Sequence, residues 1–378
     1  MTARGGLEEA VVADITTSYI DGSIGELIYC GYEIEELAEN ASFEEILFLL
    51  YNSRLPNPAE YEDLRATVAQ NAAIPEAVIQ MMKSLPSGTP AMAVLRTAVS
   101  MLSAFDPDAE NLTGKEAAKA KAFRLTGQIT TICAAWMRIA KGQEPVCPRA
   151  DLSVAENFLY MATGEAPDPT ACAALNVYLV LLAEHGMNAS TFASRVVTAT
   201  GSDLHSAIVA GIGALKGPSH GGANSEAMKM FVEIGAIENV EPWFNEQVKT
   251  RKRRIMGIGH RVYKANDPRA GILRRHAEAL ADSSGKRKWF DIAVKLADTA
   301  RADDYFVQRN LYPNVDYFSA IVLYTLDLDI DMFTPLFAMS RIAGWSAHVI
   351  DQMGGRLIRP KANYVGPRGL KWVPISER

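Results

Sequence analysis

The sequence predicts a mostly α-helical fold, a large helical unit with a smaller one set into it, and three observations carry that expectation. Apolar residues recur at helical spacing through most of the chain, strand-like runs are few, and Gly/Pro punctuation clusters in one region. At 378 residues the length alone admits one large domain or two ordinary ones. A balance of 48% apolar and 22% charged residues is that of a globular protein rather than a disordered or fibrous one.

Taken in order, the N-terminal "MTARGGLEEAVV" has no apolar signal-peptide core and turns acidic at Glu8, and no run of about 18 apolar residues follows anywhere. A cytoplasmic protein without a membrane partner is expected. The stretch from Tyr19 to Ile34 alternates around Leu27 and Tyr29 between Gly turns and predicts a short β-hairpin. "FEEILFLLYNSRL" then sets Phe43, Ile46, Leu47 and Leu50 on one helical face, and "VIQMMKSL" continues the habit. "KEAAKAKA" has the composition of an exposed helix. "CAALNVYLVLLAEH", "FDIAVKLADTA" and "DYFSAIVLYTL" read as further helices.

"GIGALKGPSHGG", "MGIGH" and "DPRAG" fall within about sixty residues and can hinge a smaller domain against a larger one, because hinges need residues that absorb φ/ψ change. The expected division is 1–213 as the first part of the large domain, 214–325 as the small mobile domain, and 326–378 as the return to the large one. "QMGGRLIRPKANYVGPRG" begins an irregular tail. From Arg359 to Arg378 it carries five basic residues and one acidic one, and it is expected to reach another surface.

A net charge of −6 excludes general nucleic-acid binding, which normally shows as a basic domain. "KTRKRR", Lys249 to Arg254, is the exception; a solvated face and a site for phosphate groups both account for it. Cys30, Cys133, Cys147 and Cys172 are scattered, with no C-x-x-C pair and no zinc-like spacing to histidine, so no metal is expected.

Five of the six histidines fall from His185 to His276. His185 ends an apolar helix, where it suits the helix dipole as a cap. His205, His276 and His348 have no unusual neighbours. His220 lies between Pro218 and a Gly pair, just ahead of an amphipathic run with Met228, Phe231 and Ile234 inward. A helix N-terminus there opposes protonation, leaving a neutral ring able to donate a hydrogen bond, while Gly221 and Gly222 allow close approach of a backbone or ligand. A turn with an incidental histidine accounts for that segment equally well. His260 follows a Gly-x-Gly near the basic run, and Arg269 stands nine residues further on. Asp316 precedes a helical run, as an N-cap or as a base within reach of a substrate proton. Arg341 sits in an apolar stretch, where a cation is costly unless it meets an anion, and Arg359 stands in the tail. Several convergent arginines imply a substrate with more than one carboxylate.

Together these segments resemble the citrate synthase family over nearly the whole chain. "SYIDGSIGELIYCGYEIEELA", "EHGMNAST", "GPSHGGAN", "MGIGHRVYKANDPR", "YPNVDYFS" and "RIAGW" followed by "IRP" stand in the family's order and spacing. The resemblance implies a two-domain helical fold and a condensation of acetyl-CoA with oxaloacetate, with acetyl-CoA as a substrate and no further cofactor. It implies that Asp316 takes a methyl proton from acetyl-CoA, that His220 hydrogen-bonds the thioester carbonyl, and that His260 polarises and protonates the oxaloacetate carbonyl. His185, Arg269, Arg341 and Arg359 are implied as oxaloacetate ligands, Arg359 coming from the partner of a homodimer with shared sites. For CoA the resemblance implies the backbone of Ile255, Met256, Gly257, Ile258 and Gly259, with Lys264 at the phosphates and Arg253 and Arg254 as lesser contributors.

Two departures stand out: Cys30 lies where the family often has arginine, and "GTPAMAVLRTAV" lacks the histidine many relatives carry before Pro-Met. The chain is also shorter than the hexameric NADH-regulated members, so a simple dimer is expected. Two alternatives remain open at this point. A propionyl-CoA substrate, giving 2-methylcitrate, differs by one methylene worth about 1 to 3 kcal/mol in an apolar pocket. A catalytically silent binding or scaffold protein is the other, though it has no physical need of Asp316, His220 and His260 together.

Overall fold

The computed structural model describes residues 6, 7, 10–110 and 114–378; residues 1–5, Glu8 and Glu9 of the N-terminal segment lie outside the described residues. Among those described there are seventeen α-helices and three short strands. The strands β1 (Ser18–Asp21), β2 (Glu26–Tyr29) and β3 (Tyr32–Glu33) form one antiparallel sheet in chain order. The expected hairpin thus gains a third strand, because Cys30 and Gly31 both take positive φ, 48° and 95°, and turn the chain a second time. The alternation predicted from sequence holds, with Leu27 and Tyr29 fully buried.

Local sequence starts several helices unambiguously. Ser42 with Glu45, Asn57 with Glu60 and Ser153 with Glu156 each form a reciprocal capping box at the head of Phe43–Asn52, Pro58–Gln70 and Val154–Thr163. Phe43, Ile46, Leu47 and Leu50 of the first of these are buried, as their spacing predicts. The "KEAAKAKA" segment differs from expectation. It opens the long helix Lys115–Ile139, whose inner face buries Ala118, Lys121 and Ala122; Lys121 is accommodated because its ammonium reaches the carbonyls of Asp108 and Ala109.

Helix Phe333–Gln352 is buried nearly all round, as a core helix must be. Around it pack the helices Phe43–Asn52, Lys115–Ile139, Pro169–Leu182, Ala189–Thr198 and Leu204–Leu215. A second group, Ala223–Ile234, Pro268–Ser284, Arg287–Arg301 and Val315–Thr325, packs mainly on itself. The two groups meet where Pro169–Leu182 touches Pro268–Ser284 and where Ala223–Ile234 touches Phe333–Gln352. No helix among the described residues is long and apolar enough to cross a membrane. Cys30 is half-buried against the carbonyls of Thr17 and Leu49, and burial pushes its thiol up to about 11. It is therefore a weak nucleophile.

Past Gln352 the chain runs to its end with only a short 3-10 turn, Ile375–Glu377. Its apolar side chains are open to solvent: Trp372 is 78% exposed and Val365 94%.

Candidate active site

Asp267 organises one wall of the site. It caps helix Pro268–Ser284 by accepting the Arg269 N–H, and its carboxylate also grips the Arg269 guanidinium at two points, 2.9 and 2.8 Å. Its Oδ2 also takes a fourth donor to the carboxylate, the Val315 N–H at 3.1 Å. One buried carboxylate therefore ties the heads of two helices and sets Arg269 beside Asp316. Burial would raise the Asp267 pKa, but Arg269 outweighs it and holds the carboxyl below its ordinary value.

Asp316 is not the N-cap that sequence alone allowed. Asn314 caps the helix, its side chain accepting the Asp316 N–H at 2.9 Å, and Asp316 stands in the first turn. Its carboxylate takes no hydrogen bond from any described residue. Burial, reinforced by Asp267 and opposed by Arg269 and Arg341, pushes it up to about 6. Asn314 also fixes the approach of the second chain segment. It donates from its backbone to the Gly257 carbonyl and from its side chain to the Gly259 carbonyl, both at 2.8 Å, while Gly259 donates to Tyr312. Of the segment named for CoA, Ile255 and Gly257 are buried and Met256, Ile258 and Gly259 half-buried; Lys264 is exposed, its ammonium over the carbonyls of His260 and Arg261.

The two histidines are held through opposite nitrogens. The His260 Nδ1 accepts the backbone N–H groups of Val262 and Tyr263, at 3.1 and 3.2 Å. A backbone amide can only donate, so the proton of the neutral ring is on Nε2. At His220 the Nε2 accepts the Ser190 N–H at 3.3 Å and lies 2.8 Å from the Ser190 hydroxyl, which leaves Nδ1 as the N–H donor. Both rings are pulled down to about 4, first by burial and then by Arg341 at His220 and Arg269 at His260. Neutrality at His220 was expected from the helix end; burial and a neighbouring arginine produce it instead. His220 lies two residues before Gly222, which heads helix Ala223–Ile234. The close approach expected at Gly221 is made by the chain itself: a Cβ there would stand 2.5 Å from the Leu215 carbonyl oxygen.

His185 lies three residues past helix Pro169–Leu182, so it does not cap it. Its Nε2 is 3.2 Å from the Tyr263 hydroxyl, and its ring meets that of His260 edge-on at 5.6 Å. Burial and then Arg269 and Arg341 hold it well below its ordinary pKa. Arg341 is 2% exposed, donates from Nε to the Leu182 carbonyl at 2.7 Å and lies over the Phe337 ring, but has no carboxylate hydrogen-bonded to it among the described residues. The nearby Glu184 charge offsets only part of the cost of burying this guanidinium, whose pKa stays depressed, and an incoming anion would relieve the rest.

His185, His220, His260, Arg269, Asp316 and Arg341 thus form one electrostatically linked set. Arg359 does not join it; it is exposed in the tail. Lys249, Arg251 and Arg253 of the basic run pair with Asp303, Glu246 and Glu233, whereas Lys252 and Arg254 have no ion pair among the described residues. His205 is a buried core residue between Asp106 and Asp203. Sequence reasoning missed Ser190, which also accepts from Trp345 at 3.0 Å, and it missed Tyr263 and Asp267. Only Asp267 left a signal, the Asp-Pro pair of a helix start.

A cavity of about 610 Å³ borders the site at Ile258 and Asp267 but is lined by none of the six residues of this set. Its walls are mostly apolar, Phe306, Leu311 and Phe318 among them, and Arg274 and Arg301 at its edge have no ion pair among the described residues. No cluster of His, Cys, Asp and Glu among the described residues is arranged to hold a metal ion.

Residues 6–361 match the family profile described as citrate synthase, C-terminal domain. The chain is 47% identical to citrate synthase 2 of Bacillus subtilis over 381 aligned positions, covering 100% of both proteins. It is 40% identical to the citrate synthase of Haloferax volcanii, over 99% of this chain and 98% of that one. Among solved structures it resembles citrate synthase from Pyrobaculum aerophilum, with a TM-score of 0.93, 39% identity, and 98% of this chain and 94% of that chain covered. It also resembles a ternary complex of carboxymethyl coenzyme A and oxaloacetate with the Thermoplasma acidophilum citrate synthase, with a TM-score of 0.91, 37% identity and 98% of both chains covered.

Proposed function

The chain belongs to the citrate synthase family, and on that premise we propose how its residues condense acetyl-CoA with oxaloacetate. The observation that carries the assignment is the pair of neutral histidines, pinned so that each offers one N–H, beside an unpartnered carboxylate. Oxaloacetate is held by its two carboxylates against Arg269 and Arg341 with His185 between them. Asp316 takes a proton from the methyl group of acetyl-CoA. A carboxylate is a weak base for such a carbon acid, so the developing oxyanion needs a donor aimed at it, and the His220 Nδ1–H supplies that hydrogen bond. The enolic carbon then bonds to the ketone carbon of oxaloacetate, and the ketone oxygen takes the proton of the His260 Nε2; the proton that Asp316 holds returns through solvent to His260 and restores both groups. Water hydrolyses the resulting citryl-CoA to citrate and CoA.

CoA lies along Ile255 to Gly259, with Lys264 near its phosphates. The cavity beside Ile258 suits the same ligand, since its apolar walls fit an adenine and its unpaired arginines fit phosphates. Residues 214–325 move as the small domain and close over the substrates; the self-packing of their helices supports this. The protein works in the cytoplasm as a homodimer in which Arg359 enters the partner's site. The exposed Trp372, Val365 and Leu370 support that arrangement, because a tail so apolar gains by covering against a second subunit.

The test is release of free CoA thiol from acetyl-CoA, dependent on oxaloacetate, with kcat/KM compared against propionyl-CoA. No release with either acyl-CoA would end the reading, and a higher kcat/KM with propionyl-CoA would change the substrate. In the same assay kcat/KM should rise about tenfold per pH unit below about 6 and level off above it. The sign follows from Asp316, which is protonated and inactive as a base below its pKa of about 6, while the histidines near 4 stay neutral throughout that window. A flat profile from pH 5 to 7 would remove Asp316 as the titrating base.

Arg359→Ala is expected to raise the KM for oxaloacetate with little effect on that for acetyl-CoA. Mixed as unfolded chains with Asp316→Asn, refolded together and assayed at oxaloacetate too dilute for Arg359→Ala alone to turn over, the two variants should recover about a quarter of wild-type activity, since half the dimers are hybrids with one intact site. No recovery would place Arg359 in its own chain's site or in none.

A further inference from the structure

A chain of buried polar groups stands behind His185, and the reaction as derived makes no use of it. Glu184, the residue before His185, is fully buried. Its Oε1 accepts from the Ser18 hydroxyl at 2.9 Å and the Gly186 N–H at 2.7 Å, and lies 3.0 Å from the His348 Nε2. His348 is equally buried, and its Nδ1 is 3.2 Å from Nη1 of Arg195. A guanidinium has no acceptor, so Nδ1 accepts and the neutral imidazole carries its proton on Nε2, donating to Glu184. Arg195 in turn reaches Asp351 at 2.8 Å, on the last turn of helix Phe333–Gln352. The backbone at Glu184 is fixed as well: the Tyr29 hydroxyl donates to its carbonyl at 2.8 Å and receives its N–H at 3.2 Å.

The remaining Glu184 oxygen, Oε2, is buried without a hydrogen bond. It lies against the bare backbone of Gly344, where a Cβ would be 2.2 Å away. Gly344 is one turn beyond Arg341 on the same helix, and the Glu184 and Arg341 charges feel each other. Nothing about catalysis calls for a buried carboxylate at this place. Holding one there is costly unless its hydrogen bonds fix something else.

We propose that the Glu184–His348 pair is the positioning device of the oxaloacetate side of the site. It locks the turn 183–186 against helix Phe333–Gln352, so that His185 and Arg341, on different elements, keep one spacing for the substrate's carboxylates. Both are positioning residues and touch no substrate. The proposal rests on the oxaloacetate reading of His185 and Arg341.

The test measures oxaloacetate binding alone by calorimetry, then KM and kcat, on wild type, His348→Leu, His348→Gln and Ser18→Ala. His348→Leu removes the donor to Glu184 at similar volume and should weaken oxaloacetate binding at least tenfold, with KM for acetyl-CoA at saturating oxaloacetate changed less than twofold. His348→Gln keeps an N–H near the Nε2 position and should return within threefold of wild type. Ser18→Ala, which removes a single half-buried donor and endangers folding least, should weaken oxaloacetate two- to fivefold. Unchanged oxaloacetate affinity in Ser18→Ala together with a folded His348→Leu would overturn the proposal, as would a His348→Gln no better than His348→Leu. Failure of wild type to bind oxaloacetate would instead overturn the function reading on which it rests.

Discussion

Asp316→Asn should lower kcat by a factor of about 10² to 10⁴, the usual worth of a positioned general base, while oxaloacetate binding stays within about threefold of wild type. The substitution keeps the shape of the side chain and breaks no hydrogen bond, because the carboxylate has no partner among the described residues. The helix start survives too, since Asn314 rather than Asp316 caps it. Stability should therefore change little, by about 0.5 kcal/mol or less. Removing a negative charge near Arg269 and Arg341 can only favour a bound dicarboxylate. Steady-state kinetics with calorimetric oxaloacetate titration decides the point; a kcat within tenfold of wild type would show that the base is another group.

Arg341→Leu should weaken oxaloacetate binding by about 10² or more while leaving the ligand-free protein folded. Truncating one partner of a buried charge pair costs about 2 to 5 kcal/mol, and each 1.4 kcal/mol is tenfold in affinity. The effect on stability runs the other way. Without substrate Arg341 is a buried cation whose guanidinium meets a carbonyl and an aromatic ring but bonds no carboxylate among the described residues, and burial depresses its pKa in spite of the Glu184 charge. A leucine there gives up the bond to Leu182 and the attraction of Glu184 but also the desolvation cost, which outweighs them in the depressed Arg341 pKa, so the thermal midpoint should hold or rise. A fall in midpoint with oxaloacetate affinity unchanged would make Arg341 a structural residue.

The resemblance found in six ordered segments agrees with the family profile and the relatives, and the helical class agrees with the structure. What the residues alone misread or left open was decided by contacts that single segments do not show. "KEAAKAKA" reads as exposed because lysine is usually solvated, yet Lys121 is buried where two carbonyls from residues 108 and 109 converge on it. Asp316 reads as a cap because Asp is a good one, yet Asn314 two positions earlier takes that role and leaves the carboxylate free. His348 reads as unremarkable because its partner, Glu184, is 164 residues away.

Those cases mark the division between what the sequence determined and what only the tertiary structure decided. Helical period, capping boxes, Gly/Pro punctuation and the order of the motifs are local properties, settled within a few residues by backbone sterics and side-chain spacing, and they are legible in one dimension. The functional state of each side chain is not. The proton on His260 is set locally, by Val262 and Tyr263, but that on His220 is set by Ser190, thirty residues away, and the charge of Asp316 by its burial and then by Arg269, Asp267 and Arg341. Burial and long-range charge decide tautomer and pKa, and both exist only once distant segments have packed together.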